Sequence, residues 1–289
     1  MNQANRNYGD LLQVALIYIV IAISGYLTWH YTQSMGEVQA FLIADIVMTV
    51  VCFLFSIVKK NSSVYDAYWS VIPFFFIVMW SYLHPSTLSI YHFIAFAVVF
   101  IWSWRLTLNW IRSWPDFSHE DWRYTKLSAD TGAMYPLVNF FGIHLFPTLL
   151  VFGGMWPMFF MFQNSISSLV LFILGAIVSF IGTLFEFFAD NELAKFRRRP
   201  NPKVSEILDT GLWSRCRHPN YLGEMLFWIG LFIIGLSFGA PLYTGVGALS
   251  MILLFVFASI PMKEKRMMQR RPDNFMSYKA RVPLLLPKL

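Results

Sequence analysis

Charge is scarce in this chain. Asp, Glu, Lys and Arg make up 13% of its 289 residues, against 57% hydrophobic and 18% aromatic, a balance that excludes an ordinary soluble domain and points to a membrane protein. Cysteine is nearly absent: Cys52 lies in an apolar run and Cys216 in a basic loop, so they are expected not to meet, a disulfide scaffold is excluded, and both suit a reducing face. The chain also lacks GxGxxG, a P-loop and HExxH, which leaves the common nucleotide and zinc chemistries without motif support. His119-Glu120-Asp121 reads as a solvated charged loop, because adjacent residues rarely converge on one ion, and His30, His84, His92 and His144 are scattered; no metal is expected. Repeats, low-complexity tracts and long linkers are missing too, so residues 1–289 read as a single membrane domain.

What is present is a series of apolar runs of about 20 residues, the length that crosses ~30 Å of hydrocarbon as a helix. Eight spans are expected: Leu11–Trp29, Phe41–Val58, Ala67–Leu83, Leu88–Trp110, Tyr135–Phe152, Ser168–Ala189, Tyr221–Phe238 and Val246–Pro261. Gly153-Gly154 with Pro157 should break the fifth, and Met158 to Phe162 should dip without crossing. Between spans four and five, Ile111 to Thr131 reads as a polar loop with Trp114, Trp122 and Tyr124 at the interface. The expected architecture is an all-α polytopic bundle with a cytosol-facing pocket. Lys and Arg set its sidedness: with both termini cytosolic, that side receives Arg6, Lys59-Lys60, the Arg112 to Lys126 loop, the Lys195 to Arg217 stretch and the tail, and the opposite loops receive none. The net charge of +6 is then spread along one membrane face, which argues for anionic lipid or an anionic cofactor and against nucleic acid.

Asp66, Arg105, Asn109, Glu186, Asp190 and Asn191 fall at cytosolic span ends. Ionisable groups there are costly unless paired or wet, so a cluster of them on one side reads as a site. Arg105 has the alternative of snorkelling to the headgroups, and Asp190 that of capping a helix. Glu186 lies a full turn inside an apolar helix and must find a partner, with Arg197 or Arg217 as candidates. Asp45, on the side without lysines, is assigned only interfacial exposure.

The most polar motif is DTGLWSRCRHPNYLGE, Asp209 to Glu224. Gly211 suits a tight turn and Pro219 the first turn of a helix. Arg215, Arg217 and His218 stand before a helix N-terminus, where free N–H groups and the dipole favour an anion. Asn220 and Glu224 share one face of the following helix. A loop that merely anchors the helix at headgroups does not need His218, Asn220, Tyr221 and Glu224.

SVYDAYWSVIP, WSWRLTLNWI with HEDWRY, EFFADNELAKF and DTGLWSRCRHPNYLGE, in that order, are similar to the family of integral membrane proteins related to steroid 5-alpha-reductase, over its C-terminal domain. The resemblance covers roughly residues 60–289 and leaves residues 1–59 as two additional N-terminal helices. A shorter form of the last motif occurs in isoprenylcysteine and phospholipid methyltransferases, which bind S-adenosylmethionine; AD-x-x-L-x-x-F and the EDWRY loop favour the reductase side. The resemblance implies hydride transfer from NADPH to a carbon–carbon double bond of a lipid-soluble substrate, an enone or a sterol- or fatty-acid-like molecule, entering from the bilayer. It implies cofactor contacts at Asp190, Arg197, Asn220 and Glu224, with Glu186, Arg217, His218 and Tyr221 adjacent. It matches the family's carbonyl-polarising acid to Asp66 by its distance to Pro73, with Tyr65 or Tyr68 as substitute proton donors. It also implies endoplasmic reticulum residence in a eukaryote and the inner membrane otherwise. Departures are Glu186 for an Asn, Trp102 for the partner Tyr, and Arg266, Arg270 and Arg271 for a His and Tyr in the tail. Two alternatives stay open: a methyltransferase with the same clamp, and a non-catalytic lipid-binding relative.

Overall fold

The computed structural model describes residues 7–200 and 205–288; Arg6 and Lys203, both used above for sidedness, lie outside them. Every regular element among the described residues is helical. Eight helical segments are long and apolar enough to cross a membrane: Tyr8–Met35, Glu37–Lys59, Ser62–Leu83, Ile90–Ser113, Trp122–Gln163, Leu169–Arg198, Pro219–Leu236 and Leu242–Arg270. The protein is an all-α, multi-pass membrane bundle.

Local chemistry opens these helices, Pro219 where the sequence suggests. Asn7 accepts from Gly9 N at 3.0 Å to open α1 (Tyr8–Thr32), and Ser168 accepts from Leu171 N to open α8 (Leu169–Arg198). Pro219 opens α10 (Pro219–Leu236), where a missing N–H costs nothing. Between α1 and α8 lie α2 (Glu37–Lys59), the 3-10 turn Ser62–Ala67 with α3 (Tyr68–Leu83), α4 (Ile90–Ser113), α5 (Trp122–Thr131), α6 (Tyr135–Val138), a π-helical stretch Asn139–Leu145 and α7 (Phe146–Gln163). After the short α9 (Leu212–Arg215) and α10 come α11 (Val246–Leu254), a π-helical Phe255–Ser259, α12 (Ile260–Arg270) and α13 (Pro272–Arg281). One apolar core joins Ile17, Phe41, Phe76, Trp102, Phe152, Trp228 and Met251, so the two N-terminal helices pack into the same body as the rest.

The most extensive helix contact is between α8 and α10. A Cβ on Gly223 would fall 2.5 Å from Gly182 O, and one on Gly230 would fall 2.6 Å from Gly175 O. Such close backbones give two helices van der Waals contact where lipid offers no hydrophobic drive.

Four expectations are corrected. The fifth span does not break at Gly153-Gly154 and Pro157; α7 runs through them to Gln163. Those glycines serve contact instead, Gly153 against Gly247 and Gly154 against the Trp228 ring. The polar loop contains α5, N-capped by Asp121. Trp114 and Tyr124 are buried, not interfacial, and the Arg266 guanidinium lies over Trp122 at 3.7 Å. Asp45 is fully buried rather than interfacial, because the Tyr68 hydroxyl reaches it at 2.7 Å.

Candidate functional site

Three helices each bring a row of polar residues to one place. On α8, Glu186 and Asp190 are one turn apart; on α10, Asn220 and Glu224 are; on α4, Trp102, Arg105 and Asn109 recur at helical spacing. Arg105 is the hub. Its Nη2 donates to Glu186 Oε2, and its Nη1 donates to Asp190 Oδ2 at 2.9 Å. Asn109 Nδ2 donates to the same Asp190 oxygen at 3.1 Å, and Asn220 Nδ2 donates to Oδ1 at 3.4 Å. Glu224 accepts from Trp102 Nε1 at 3.1 Å and from Trp228 Nε1 at 3.3 Å. The missing Cβ of Gly223 lets Glu186 lie against α10.

Two features of this cluster bear on its chemistry. It holds three carboxyl groups and one guanidinium. It also leaves two buried atoms without a protein partner, Arg105 Nε and Asn220 Oδ1, while the Glu186 carboxyl lies against that of Glu224. Buried polar atoms in native proteins are nearly always bonded to protein, water or ligand, so this donor and this acceptor are open to a further polar partner.

Not every expected clamp residue joins it. Arg217 and His218 turn to the tail: Arg217 Nε donates to Glu264 Oε1 at 2.8 Å and Nη1 to Val282 O at 2.6 Å, while His218 Nε2 lies 3.2 Å from the same Glu264 oxygen. The cause is Glu264 of α12, which accepts from Arg217 and lies within hydrogen-bond reach of His218. Burial lowers the His218 pKa below its ordinary value, with the Glu264 hydrogen bond opposing, so the imidazole is neutral at pH 7. Tyr221 stacks on His218 with ring centroids 5.5 Å apart. Arg197, expected as a partner of Glu186, is exposed; Arg105 fills that role and does not snorkel. Arg197 stands instead within electrostatic reach of Asp190, Arg266 and Arg271, and Arg266 within reach of Arg270. Sequence reasoning did not pair Trp102 and Trp228 with Glu224, nor Glu264 with Arg217. The helical register of WSWRLTLNW was the available signal for the first; nothing local signals the second.

Asp66 lies at the same edge but in separate company. It accepts from the Tyr124 hydroxyl, and Arg123 stands 3.9 Å away. Tyr65 and Tyr68, the expected substitute donors, point elsewhere, Tyr65 to Thr148 at 2.9 Å and Tyr68 to Asp45. The turn Ser62–Ala67 aims successive side chains to different sides, so Tyr124 of α5 takes the place next to Asp66. Ser70, one turn after Asp66, bonds Thr107 of α4 at 2.9 Å, which sets this end of α3 beside the end of α4 that carries Arg105 and Asn109.

Around the cluster the motif folds as its residue types suggest. Gly211 takes a φ of 59°, a Cβ there would strike Glu192, and Glu192 accepts from Leu212 N at 3.0 Å. Trp213 Nε1 donates to Ala189 O at 3.0 Å, pinning the loop to α8 next to Asp190. Gly235 to Gly239 has GxSxG spacing, yet it closes α10 rather than joining a strand to a helix. The buried Ser237 hydroxyl is spent on Ile234 O at 2.6 Å.

A family model described as "Protein of unknown function (DUF1295)" matches residues 52–282. The chain belongs to the DUF1295 family. No curated protein and no solved structure matches it. The DUF1295 match contains every member of the Arg105 cluster together with Asp66 and Glu264, and it leaves out α1 and Glu37 to Val51 of α2, including Asp45.

Proposed function

We propose that the protein is a membrane reductase that uses NADPH to saturate a carbon–carbon double bond in a lipid-soluble substrate, with both termini and the site on the cytosolic side. The observation that carries the reading is the convergence of Asp190, Asn220 and Glu224 around Arg105. These come from separate stretches of chain, and they are the residues that the resemblance to the steroid 5-alpha-reductase-related proteins points to. One unpartnered donor, Arg105 Nε, and one unpartnered acceptor, Asn220 Oδ1, complement the carboxamide or ribose hydroxyls of a nicotinamide nucleotide. Its phosphates do not suit three carboxyl groups. Arg197, Arg266 and Arg270, within electrostatic reach of one another through Arg266, suit that anionic end, since guanidinium forks hold phosphate bidentately.

NADPH, when bound, supplies the hydride that adds to the far carbon of a conjugated carbonyl. The chain's part is to hold the reacting groups in a dry site and to meet the charge that grows on the carbonyl oxygen. Asp66, with the Tyr124 hydroxyl bonded to it, is the proton donor in this reading, standing at the edge shared by α3 and α4. The buried apolar faces of α4, α8 and α10 keep water from the cluster.

A second reading has one observation in its favour. Three carboxyl groups around one guanidinium also suit a cationic ligand, as the sulfonium and ammonium of S-adenosylmethionine are. Single-turnover NADPH oxidation with a panel of enone lipids separates the two. The reductase reading expects oxidation by the wild type and a rate lower by about two to four orders of magnitude in Asp66→Asn. Methyl transfer from S-adenosylmethionine without NADPH oxidation would sink it.

A further inference from the structure

Asp45 is an ionisable group that the reductase reading leaves unused. It lies about 21 Å along α2 from Lys59 at about 1.5 Å per residue, deep within ~30 Å of hydrocarbon, and is wholly enclosed. The Tyr68 hydroxyl donates to Oδ1 at 2.7 Å, while Oδ2 has no partner and no lysine or arginine pairs with it among the described residues. Ionisable groups at such depth are expensive and are kept for function more often than for packing.

A row of hydroxyls leads away from it. Thr49, one turn further along α2, lies beside the Tyr68 phenol. Its Oγ1 is 2.8 Å from Thr148 Oγ1, which is 2.9 Å from the Tyr65 hydroxyl. Asp45, Tyr68, Thr49, Thr148 and Tyr65 are all buried, and Tyr65 sits in the turn Ser62–Ala67 that also carries Asp66 at the membrane edge. The titratable groups facing this row are Tyr18 of α1, Cys52 of α2, Asp66 of the turn and His144 of the π-helical stretch. None supplies a permanent positive charge.

The occupant must be small. A bound metal cation takes several oxygen ligands, and among the described residues no three His, Cys, Asp or Glu side chains converge to hold one. A lipid headgroup needs an opening, and Asp45 has none. We propose that Asp45 is a proton-binding site of the membrane interior, loaded and emptied through the hydroxyl relay of Tyr68, Thr49, Thr148 and Tyr65. In loading, a hydronium ion arriving from the membrane edge gives its proton to the Tyr65 hydroxyl and leaves as water, and Tyr65 gives its own proton to Thr148. The Thr148 hydroxyl, which at rest donates to His144 O at 2.9 Å, turns its proton to Thr49, Thr49 gives its own to Tyr68, and Tyr68 to Asp45. Each hydroxyl gains one proton and loses one, the carboxylate becomes a carboxylic acid, and nothing is oxidised or reduced.

Infrared difference spectra of the full chain in lipid nanodiscs, recorded against pH and after transfer to heavy water, test this without cofactor or substrate, so the result stands apart from the reductase reading. Expected is a buried carboxylic-acid band that Asp45→Asn removes. In Thr148→Val, which keeps Asp45 but deletes one hydroxyl of the relay, the band should remain and its deuterium shift should be roughly tenfold slower, the cost of one added step of about 1.4 kcal/mol. Survival of the band in Asp45→Asn overturns the site, and wild-type exchange in Thr148→Val overturns the relay.

Discussion

Arg105 donates to both Glu186 and Asp190, two acids one turn apart on α8. A single side chain thereby ties α4 to α8 at the level where α10 adds Asn220 and Glu224. The guanidinium is enclosed, with side-chain exposure of 9% against 3% for Glu186, so neither group has water to fall back on.

Removing Arg105 leaves the buried Glu186 without its cation and Asp190 with only the Asn109 and Asn220 amides. Arg105→Ala is therefore expected to cost about 3–5 kcal/mol of stability. Thermal unfolding in lipid nanodiscs reads it; a melting temperature equal to wild type would mean that the pair is not formed.

The close approach of α8 and α10 makes a second prediction. A methyl group at Gly223 meets Gly182 O and Glu186, and overpacking of this kind costs about 1–3 kcal/mol. Gly142→Ala, where an added Cβ meets nothing within 4 Å, is the control. Equal melting temperatures for the two variants would contradict the packing described.

Arg217 ties the motif loop to the tail through Glu264 and Val282 O. Arg217→Ala should lose about 1.5–3 kcal/mol of that docking. Limited proteolysis should then cut within Ile260–Arg281 faster than in the wild type. Unchanged cleavage would return Arg217 to the anion site first expected for it.

His218 gives a pH dependence with a definite sign. Burial lowers its pKa against the pull of Glu264, so the folded state favours the neutral ring. The stability this brings is complete above the unfolded value of about 6.5 and is lost as pH falls through that value toward the lowered folded one. Melting temperatures of the wild type should fall more steeply than those of His218→Gln between about pH 7 and 5. Parallel curves would show that His218 titrates as it does in water.

Much of this was legible in the sequence, and the limits have a physical cause. Span length follows from the hydrocarbon thickness, so eight apolar runs indicated eight crossings. Helical spacing put Asn220 with Glu224 on one face, and the cost of a buried acid required a partner for Glu186. Which cation would answer was not legible, because periodicity tells which residues share a face but not which helix arrives opposite it. Thus Arg105 took the place expected of Arg197 or Arg217, and Arg217 went to a tail that no local pattern places over α10. Gly153 and Gly154 read as a break because glycine permits both a bend and close contact; only the neighbours Gly247 and Trp228 distinguish the two. Asp45 read as exposed because its partner, Tyr68, lies on another helix.

The most direct test of the account is equilibrium titration of the purified full chain in nanodiscs with NADPH and, separately, with S-adenosylmethionine, comparing wild type and Asp190→Ala. The account predicts saturable NADPH binding that Asp190→Ala weakens by about 1.5–3 kcal/mol, the loss of a charge-assisted hydrogen bond, and no binding of S-adenosylmethionine. S-adenosylmethionine binding that depends on Asp190, with none of NADPH, would contradict it.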